Sequence, residues 1–177
     1  MTNVPIVSDG IVIDANIIPQ FYQEFIKDAG ALYDIITWLS YNCGIATNDF
    51  INDEWERVCS APAFLDWCAD QLKNGRMRKI NSQPIQTQVK KKMRIKYGFP
   101  CSSLDLKYIE CAASTQSVKY IVTEDYDFYD PMCKGKTKQA KKQAREHRQG
   151  RFCRFLLDNL GVRVGMPKHC KVYFSIP

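Results

Sequence analysis

The stretch of sequence that decides the fold is Ile11-Val12-Ile13-Asp14. Three consecutive apolar, β-branched residues end abruptly in a carboxylate, which is typical of a short strand buried on both faces of a parallel sheet. We therefore predict that residues 11–13 form the first strand, that this strand is central in the sheet, and that Asp14 lies at its carboxyl end.

Strand and helix patterns alternate along the rest of the chain. Asn16 is expected to cap the helix that follows the first strand, with Pro19 in its first turn. Further strands are predicted at residues 44–47 and 120–123, and closing strands at 162–164 and 172–174, with helices between them. This alternation predicts an α/β three-layer sandwich with a central, mostly parallel sheet flanked by helices.

The length and composition fit one folded unit. The chain has 177 residues, of which 45% are hydrophobic and 25% are charged, both ordinary values for a globular protein. We predict a single domain over residues 1–177, with a basic helical insertion at about 134–151. No apolar stretch approaches the roughly 20 residues that a membrane span needs, so no membrane partner is expected.

The cysteines predict the compartment. The first six residues have neither a basic region nor a long apolar run, as a secretory signal would. The eight cysteines are therefore expected to be reduced thiols of a cytoplasmic protein. No Cys-x-x-Cys pair is present and the chain has only two histidines, which disfavours a zinc site.

The positive charge is concentrated in two segments. The chain carries 25 basic and 19 acidic residues, and 17 of the basic ones lie between Lys73 and Lys96 or between Lys134 and Arg151. This clustering indicates a polyanionic partner such as nucleic acid. The residues expected to bind nucleic acid are Lys90, Lys91, Lys92, Arg94, Lys138, Lys141, Lys142 and Arg145. The alternatives are a solvated helix face for the first segment and an insertion without contacts for the second.

Acids directly follow two of the predicted strands. Asp14 ends the first strand, and Glu124 and Asp125 end the strand at 120–123. In an open α/β sheet, ligands bind in the crevice at the carboxyl ends of the strands, so these acids are site candidates. A capping role for Asp14 and an exposed acidic turn around Asp125 are the structural alternatives.

At this point the spacing resembles a known family. The string Ile11 to Asn16, then Thr47 with Glu54 seven residues later, then Asp105 with Ile109 and Ala112, then Val122 to Phe128, resembles in order the four motifs of PIN-domain nucleases. The resemblance spans nearly the whole chain. It implies that Asp14, Glu54, Asp105 and Asp125 are the catalytic, metal-binding acids. It further implies Asp127 as an additional metal acid, with Asn16 and Thr123 as supporting residues.

Several of these positions have alternatives. Asp53 and Glu56 flank Glu54, but helical spacing lets only one of the three face the site, and the distance from Thr47 favours Glu54. Asp105 fits a capping box with Ser102 as well as a metal site. For Asp127 the alternative is a solvent-facing turn.

The resemblance implies a metal-dependent endoribonuclease. Mg²⁺ or Mn²⁺ prefers carboxylate and water oxygens, and such an ion would orient the scissile phosphate of RNA and activate a water molecule. The resemblance also implies a toxin-type protein, with an antitoxin or other regulatory protein as a partner, and a homodimer.

Other classes of protein fit less well. A non-catalytic PIN-like module that binds nucleic acid or a protein would be expected to lack one or more metal acids. An aspartyl phosphatase would need a second aspartate two residues after Asp14, where this chain has Asn16. A dinucleotide-binding enzyme would need a Gly-x-Gly-x-x-Gly motif after the first strand, which is absent.

Overall fold

The central sheet has five parallel strands. The structure, a computed structural model, describes residues 10–101, 103–133, 137–147 and 150–177, and at 133 and 144–147 only their secondary structure. The strands lie in the order β3-β2-β1-β4-β5 and every pair is parallel. They are β1 (Ile11–Ile13), β2 (Ile45–Thr47), β3 (Met77–Lys79), β4 (Tyr120–Val122) and β5 (Arg163–Gly165). The predicted three-layer α/β sandwich and the central position of the first strand are confirmed.

Helices follow and cover these strands. They are α1 (Ile18–Phe25), α2 (Ala31–Asn42), α3 (Asp49–Val58), α4 (Pro62–Lys73), α5 (Thr87–Tyr97), α6 (Asp105–Ser114), α7 (Lys138–His147), α8 (Arg151–Leu160) and α9 (Pro167–Tyr173). Helix α6 packs against β1, β2 and β4, whereas α8 and α9 pack against β5. Within the described ranges, no helix is both long and apolar enough to cross a membrane.

The strand register defines one row of residues at the carboxyl edge. Ile11 pairs with Ile45 and with Tyr120, so the residues that follow β1, β2 and β4 lie at one level. Backbone hydrogen bonds continue past the strands, with the Asp14 amide donating to the Val122 carbonyl at 2.9 Å. Read across the sheet, this row is Ile80, Asn48, Asp14, Thr123 and Met166. Neighbouring strands are about 4.8 Å apart, so whatever follows each strand meets its neighbours here.

The apolar core fixes the sheet beneath that edge. All three residues of β1 are at most 1% exposed, as the continuous apolar pattern predicts for a central parallel strand. The indole N–H of Trp55 on α3 donates to the Ile13 carbonyl at 3.1 Å, which ties α3 to the end of β1. Because Trp55 is buried, this bond is protected from water and holds α3 beside the carboxyl edge.

Two local predictions are wrong. Residues 172 and 173 close helix α9 and are not a strand, because Pro167 occupies its first turn, where its fixed φ favours a helix. Asn16 does not cap the helix after β1. The cap is Asp14, whose carboxylate accepts the Asn16 amide at the start of a short 3₁₀ turn, Ala15–Ile17, that precedes α1.

A further strand, which the sequence pattern does not predict, follows α4. Residues 77–79 form β3, whose register pairs Ile45 with Met77. Only Met77 of this strand is buried, so its sequence shows weak alternation and little apolar character. An edge strand of three residues is recognised through its neighbour in the sheet and not through its own pattern.

Candidate active site at the carboxyl edge

The hydroxyl of Thr123 organises the centre of the edge. It donates to Oδ2 of Asp14 at 2.5 Å and accepts the side-chain amide of Asn16 at 3.3 Å and the backbone amide of Asp125 at 2.9 Å. Asp14 is 6% exposed and Thr123 is fully buried. Both predicted supporting residues therefore lie against the Asp14 carboxylate, and Thr123 links the ends of β1 and β4.

A 3₁₀ turn places the next two acids. Asp125 caps the turn Tyr126–Phe128, and its Oδ1 accepts the backbone amide of Asp127 at 2.9 Å. One carboxylate oxygen of Asp127 is buried, and the residue as a whole is half-buried. The Tyr129 hydroxyl donates to the Thr123 carbonyl at 2.9 Å and anchors the end of the turn.

Helix α3 delivers Glu54 to the edge. Asn48 caps this helix by accepting the Ile51 amide, which starts α3 directly at the end of β2. The Glu54 side chain is 17% exposed, whereas Asp53 and Glu56 lie on the exposed surface. Of the three neighbouring acids, Glu54 is the one directed inward, as the distance from Thr47 predicts.

Sequence reasoning missed Tyr108. Its hydroxyl, fully buried on α6, donates to Oε2 of Glu54 at 2.6 Å and accepts the Ala15 amide at 3.2 Å. Burial, the charge of Asp14 and the bond to Glu54 all raise the pKa of Tyr108, so it remains a donor. Its spacing could have revealed it, because a residue three positions after Asp105 lies on the same helix face.

Asp105 starts helix α6 and faces the same space. The position before it, Leu104, makes no side-chain cap. The alternative capping box begins at Ser102, which lies outside the described residues. An acid in the first helical turn is favourable in any case, so the helix dipole and a site role are compatible at Asp105.

The carboxylates share one electrostatic environment. Burial raises the pKa of Asp14 to about 7, against the opposing hydrogen bond from Thr123 and with added repulsion from Asp125 and Asp105. Burial likewise raises the pKa of Asp105 to about 6, with repulsion from Asp125, Asp127 and Glu54. The structure thus brings together all five acids that the sequence singled out.

The donor set fits a hard cation. It consists of carboxylates supported by hydroxyl and amide groups, the oxygen chemistry that Mg²⁺ and Mn²⁺ prefer. Among the described residues, neither Asp14 nor Asp105 forms an ion pair with a lysine or arginine. In the same part of the chain, no three His, Cys, Asp or Glu side chains are already arranged to hold a metal ion.

The predicted basic residues lie in different surroundings. Lys91, Lys92 and Arg94 are exposed on α5, but the Lys90 ammonium pairs with the buried carboxylate of Glu110 at 2.9 Å. On α7, Lys138 and Lys142 are exposed. The side chain of Arg145 lies outside the described residues.

Helix α7 lies next to the acidic turn. The Lys141 ammonium is 4.3 Å from the centre of the Tyr126 ring, and Tyr126 lies between Asp125 and Asp127 in the chain. A cation at this distance from an aromatic ring is attracted by it, so the contact holds α7 against the turn. At least one residue of the second basic segment therefore borders the acids.

Comparison of the chain with protein-family models, with curated proteins and with solved structures gives no match. The candidate site is therefore described by its own geometry.

Proposed function

We propose that this protein is a metal-dependent endoribonuclease that hydrolyses phosphodiester bonds of RNA. The observation that carries the proposal is the convergence of Asp14, Asp105 and Asp125, with Glu54 and Asp127, at the carboxyl edge of a parallel sheet. Buried carboxylates repel one another unless a cation is shared among them. If these carboxylates had only a structural role, lysine or arginine side chains would be expected to balance their charge. Asp14 and Asp105 have no such partner among the described residues.

The chain's own residues have distinct roles in this proposal. Asp14, Glu54, Asp105 and Asp125 would hold Mg²⁺ or Mn²⁺, which supplies a water of lowered pKa and neutralises charge on the phosphate. Thr123 and Asn16 orient Asp14 through the hydrogen bonds described above. Tyr108 fixes Glu54 by donating to one of its oxygens. The residues that hold such ligands in place are a normal part of metal sites.

The basic helices provide the RNA-binding surface in this proposal. Exposed Lys91 and Lys92 on α5 are free to contact phosphates, whereas Lys90 is engaged with Glu110. Changing Lys91 and Lys92 together to alanine should flatten the slope of log affinity against log salt by about 1.4, at roughly 0.7 per phosphate contact for a single strand. Changing Lys90 to alanine should flatten it less. An equal effect of all three lysines would show that the Lys90–Glu110 pair is not maintained in solution.

Cleavage of labelled single-stranded RNA tests the proposal. Wild-type protein should cut with Mn²⁺ or Mg²⁺ and not with EDTA, and Asp14→Asn should lower the rate by more than about a hundredfold, because a group stabilising the transition state is lost. Asp53→Asn is the matched control, since Asp53 is an exposed acid on the same helix as Glu54. Its rate should equal that of wild type.

Other outcomes assign the protein elsewhere. If neither protein cuts but both bind RNA with a steep salt dependence, the chain is a non-catalytic nucleic-acid-binding module. If Asp14→Asn cuts as fast as wild type, the acidic cluster is not the active site.

We also propose a cytoplasmic location, because Cys43, Cys59, Cys68, Cys101 and Cys111 are free thiols. An antitoxin-like partner and a homodimer stay predictions of the family resemblance.

A further inference from the structure

A cavity lies at the same carboxyl edge of the sheet as the acidic cluster. It has a volume of about 530 Å³ and opens between the ends of β2 and β3, where Asn48 and Ile80 line it. These two residues belong to the same carboxyl-edge row as Asp14, with Asn48 on the strand next to it. The volume falls in the range of roughly 300–1,000 Å³ typical of small-molecule sites.

The cavity presents an aromatic ring and cations together. Phe50 lines it and is 52% exposed, which is unusual for a phenylalanine in a chain whose other apolar rings are mostly packed. The Lys107 ammonium lies 5.1 Å from the centre of the Phe50 ring. A planar apolar surface next to a fixed positive charge matches a base and its phosphate.

The Lys107 ammonium is held in place by a buried carboxylate. Glu110, with a 3% exposed side chain, pairs with Lys107 and with Lys90, each at 2.9 Å. One carboxylate faces two ammonium groups, so this trio carries one net positive charge, and Lys107 and Glu110 are its members that line the cavity. Its geometry is set before any ligand arrives, which lowers the entropic cost of binding.

Two more polar groups line the cavity. Lys79 forms an ion pair with Asp49, but both side chains are more than half exposed, at 58% and 73%, so the pair is weak and a phosphate can compete for the lysine. Asn81 is exposed at the cavity wall. A side-chain amide offers both a donor and an acceptor to the edge of a base.

We propose that this cavity is a nucleotide-binding subsite, in which Phe50 stacks on a base and Lys107 and Lys79 bind its phosphate. The assignment of that nucleotide to an RNA strand whose scissile phosphate lies at the neighbouring acids rests on the proposed function. The subsite itself does not require metal or cleavage. The acidic cluster, by contrast, repels a phosphate when no metal is present.

Binding of 5′-AMP, 5′-UMP and inorganic phosphate in EDTA, measured by calorimetry, tests the subsite. Both nucleotides should bind more tightly than inorganic phosphate. Phe50→Ala should weaken 5′-AMP binding about tenfold, the loss expected when one stacking ring is removed. Phe50→Tyr retains the ring and should bind as wild type does. Ile26→Ala is the matched control, because Ile26 is a comparably exposed apolar side chain, 58% exposed, outside the cavity.

The charge contribution has its own pair of variants. Lys79→Ala should weaken 5′-AMP binding and reduce its salt dependence, whereas Lys73→Ala, which removes an exposed lysine outside the cavity, should not. Circular dichroism of each variant checks that it is folded.

The outcomes separate this inference from the proposed function. The subsite is rejected if 5′-AMP binds no more tightly than inorganic phosphate, or if Phe50→Ala and Ile26→Ala bind it equally well. In that case metal-dependent RNA cleavage, measured independently, can still stand. Conversely, Phe50-dependent 5′-AMP binding by a protein that does not cut RNA with Mn²⁺ supports the subsite and overturns the nuclease proposal.

Discussion

Helix α6 carries two carboxylates in opposite electrostatic states. Asp105 at its start lies among Asp125, Asp127 and Glu54, and burial together with their repulsion raises its pKa to about 6. Glu110, five residues later, is less exposed to solvent, at 2%, and burial alone would raise its pKa. Hydrogen bonds from Lys90 and Lys107 reverse this effect and hold the Glu110 pKa below its ordinary value.

The difference lies in where the compensating charge comes from. The chain supplies two lysines to Glu110, so that the buried charge is complete within the fold. It supplies other acids to Asp105 and Asp14. Each of these carboxyl groups is therefore stable only when a proton removes its charge or an external cation balances it. Buried polar groups of the first kind are structural, and those of the second kind are the candidates for chemistry.

The largest expected effect is the pH dependence of the acidic cluster. Because the Asp14 pKa is 3.8 unfolded and about 7 folded, its stabilising protonated form is lost as pH rises through this window. Without metal, the free energy of unfolding of wild type relative to Asp14→Asn should fall on the order of 3 kcal/mol between about pH 4 and pH 7. Urea unfolding of both proteins in EDTA measures this difference.

The same variant gives a direct check above neutral pH. Asp14→Asn should melt at a higher temperature than wild type in EDTA, whereas Asp53→Asn should melt with wild type because Asp53 is exposed. A lower melting temperature of Asp14→Asn would mean that the Asp14 carboxylate is stabilising, and the contrast with Glu110 would disappear.

Glu110→Gln should have the opposite sign. It removes the acceptor charge shared by Lys90 and Lys107 and should destabilise the protein by about 2 kcal/mol at pH 7, since hydrogen bonds to charged groups contribute roughly 1.5–3 kcal/mol. The difference in stability between wild type and Glu110→Gln should shrink as pH falls below 4.5. There the carboxyl of the unfolded wild type binds a proton, which favours the unfolded state. Glu56→Gln, an exposed acid on α3, is the control and should change stability little. A stabilising Glu110→Gln would remove one side of the comparison.

Tyr108→Phe should produce the smallest effect and act through Glu54. The variant loses the bond to Oε2 of Glu54 and the acceptor of the Ala15 amide, at a cost of about 1 kcal/mol in the metal-free protein. The rise in melting temperature that Mn²⁺ produces should also be smaller, because removing a group that orients a ligand weakens metal binding by roughly tenfold or more. Tyr41→Phe, on an exposed side chain, is the control. An unchanged response to Mn²⁺ would limit Tyr108 to a structural role.

How much of the site the sequence predicted depends on the kind of signal. Asp14 was identifiable because a carboxylate directly after a buried parallel strand lies at the carboxyl edge of the sheet, where ligands bind. Glu54 was separated from Asp53 and Glu56 by helical spacing together with its distance from Thr47. The spacing of Tyr108 could place it on the helix face of Asp105, but nothing in the local sequence shows that its hydroxyl contacts Glu54 and Ala15.

Errors at the ends of elements have a physical cause as well. The three apolar residues at 172–174 fit a strand equally well until Pro167 and the packing of α9 against β5 fix a helix.

Lys90 and Lys91 are adjacent and chemically identical, yet one lies against Glu110 and the other lies on the exposed surface. Composition counts both as nucleic-acid contacts, because it contains no information on which face of the helix is covered.

The sequence by itself determined the class of fold, the central strand and the acids at its carboxyl edge, because apolar runs and strand-terminal charges are local patterns with few structural solutions. The tertiary structure alone decided how charges are matched: two lysines pair with Glu110, whereas Asp14 and Asp105 lie near other acids and form no ion pair within the described part of the chain. Electrostatic energy in a protein depends on distance and burial between groups far apart in the chain, such as Asp14 and Asp105, and neither quantity is encoded in the residues next to them.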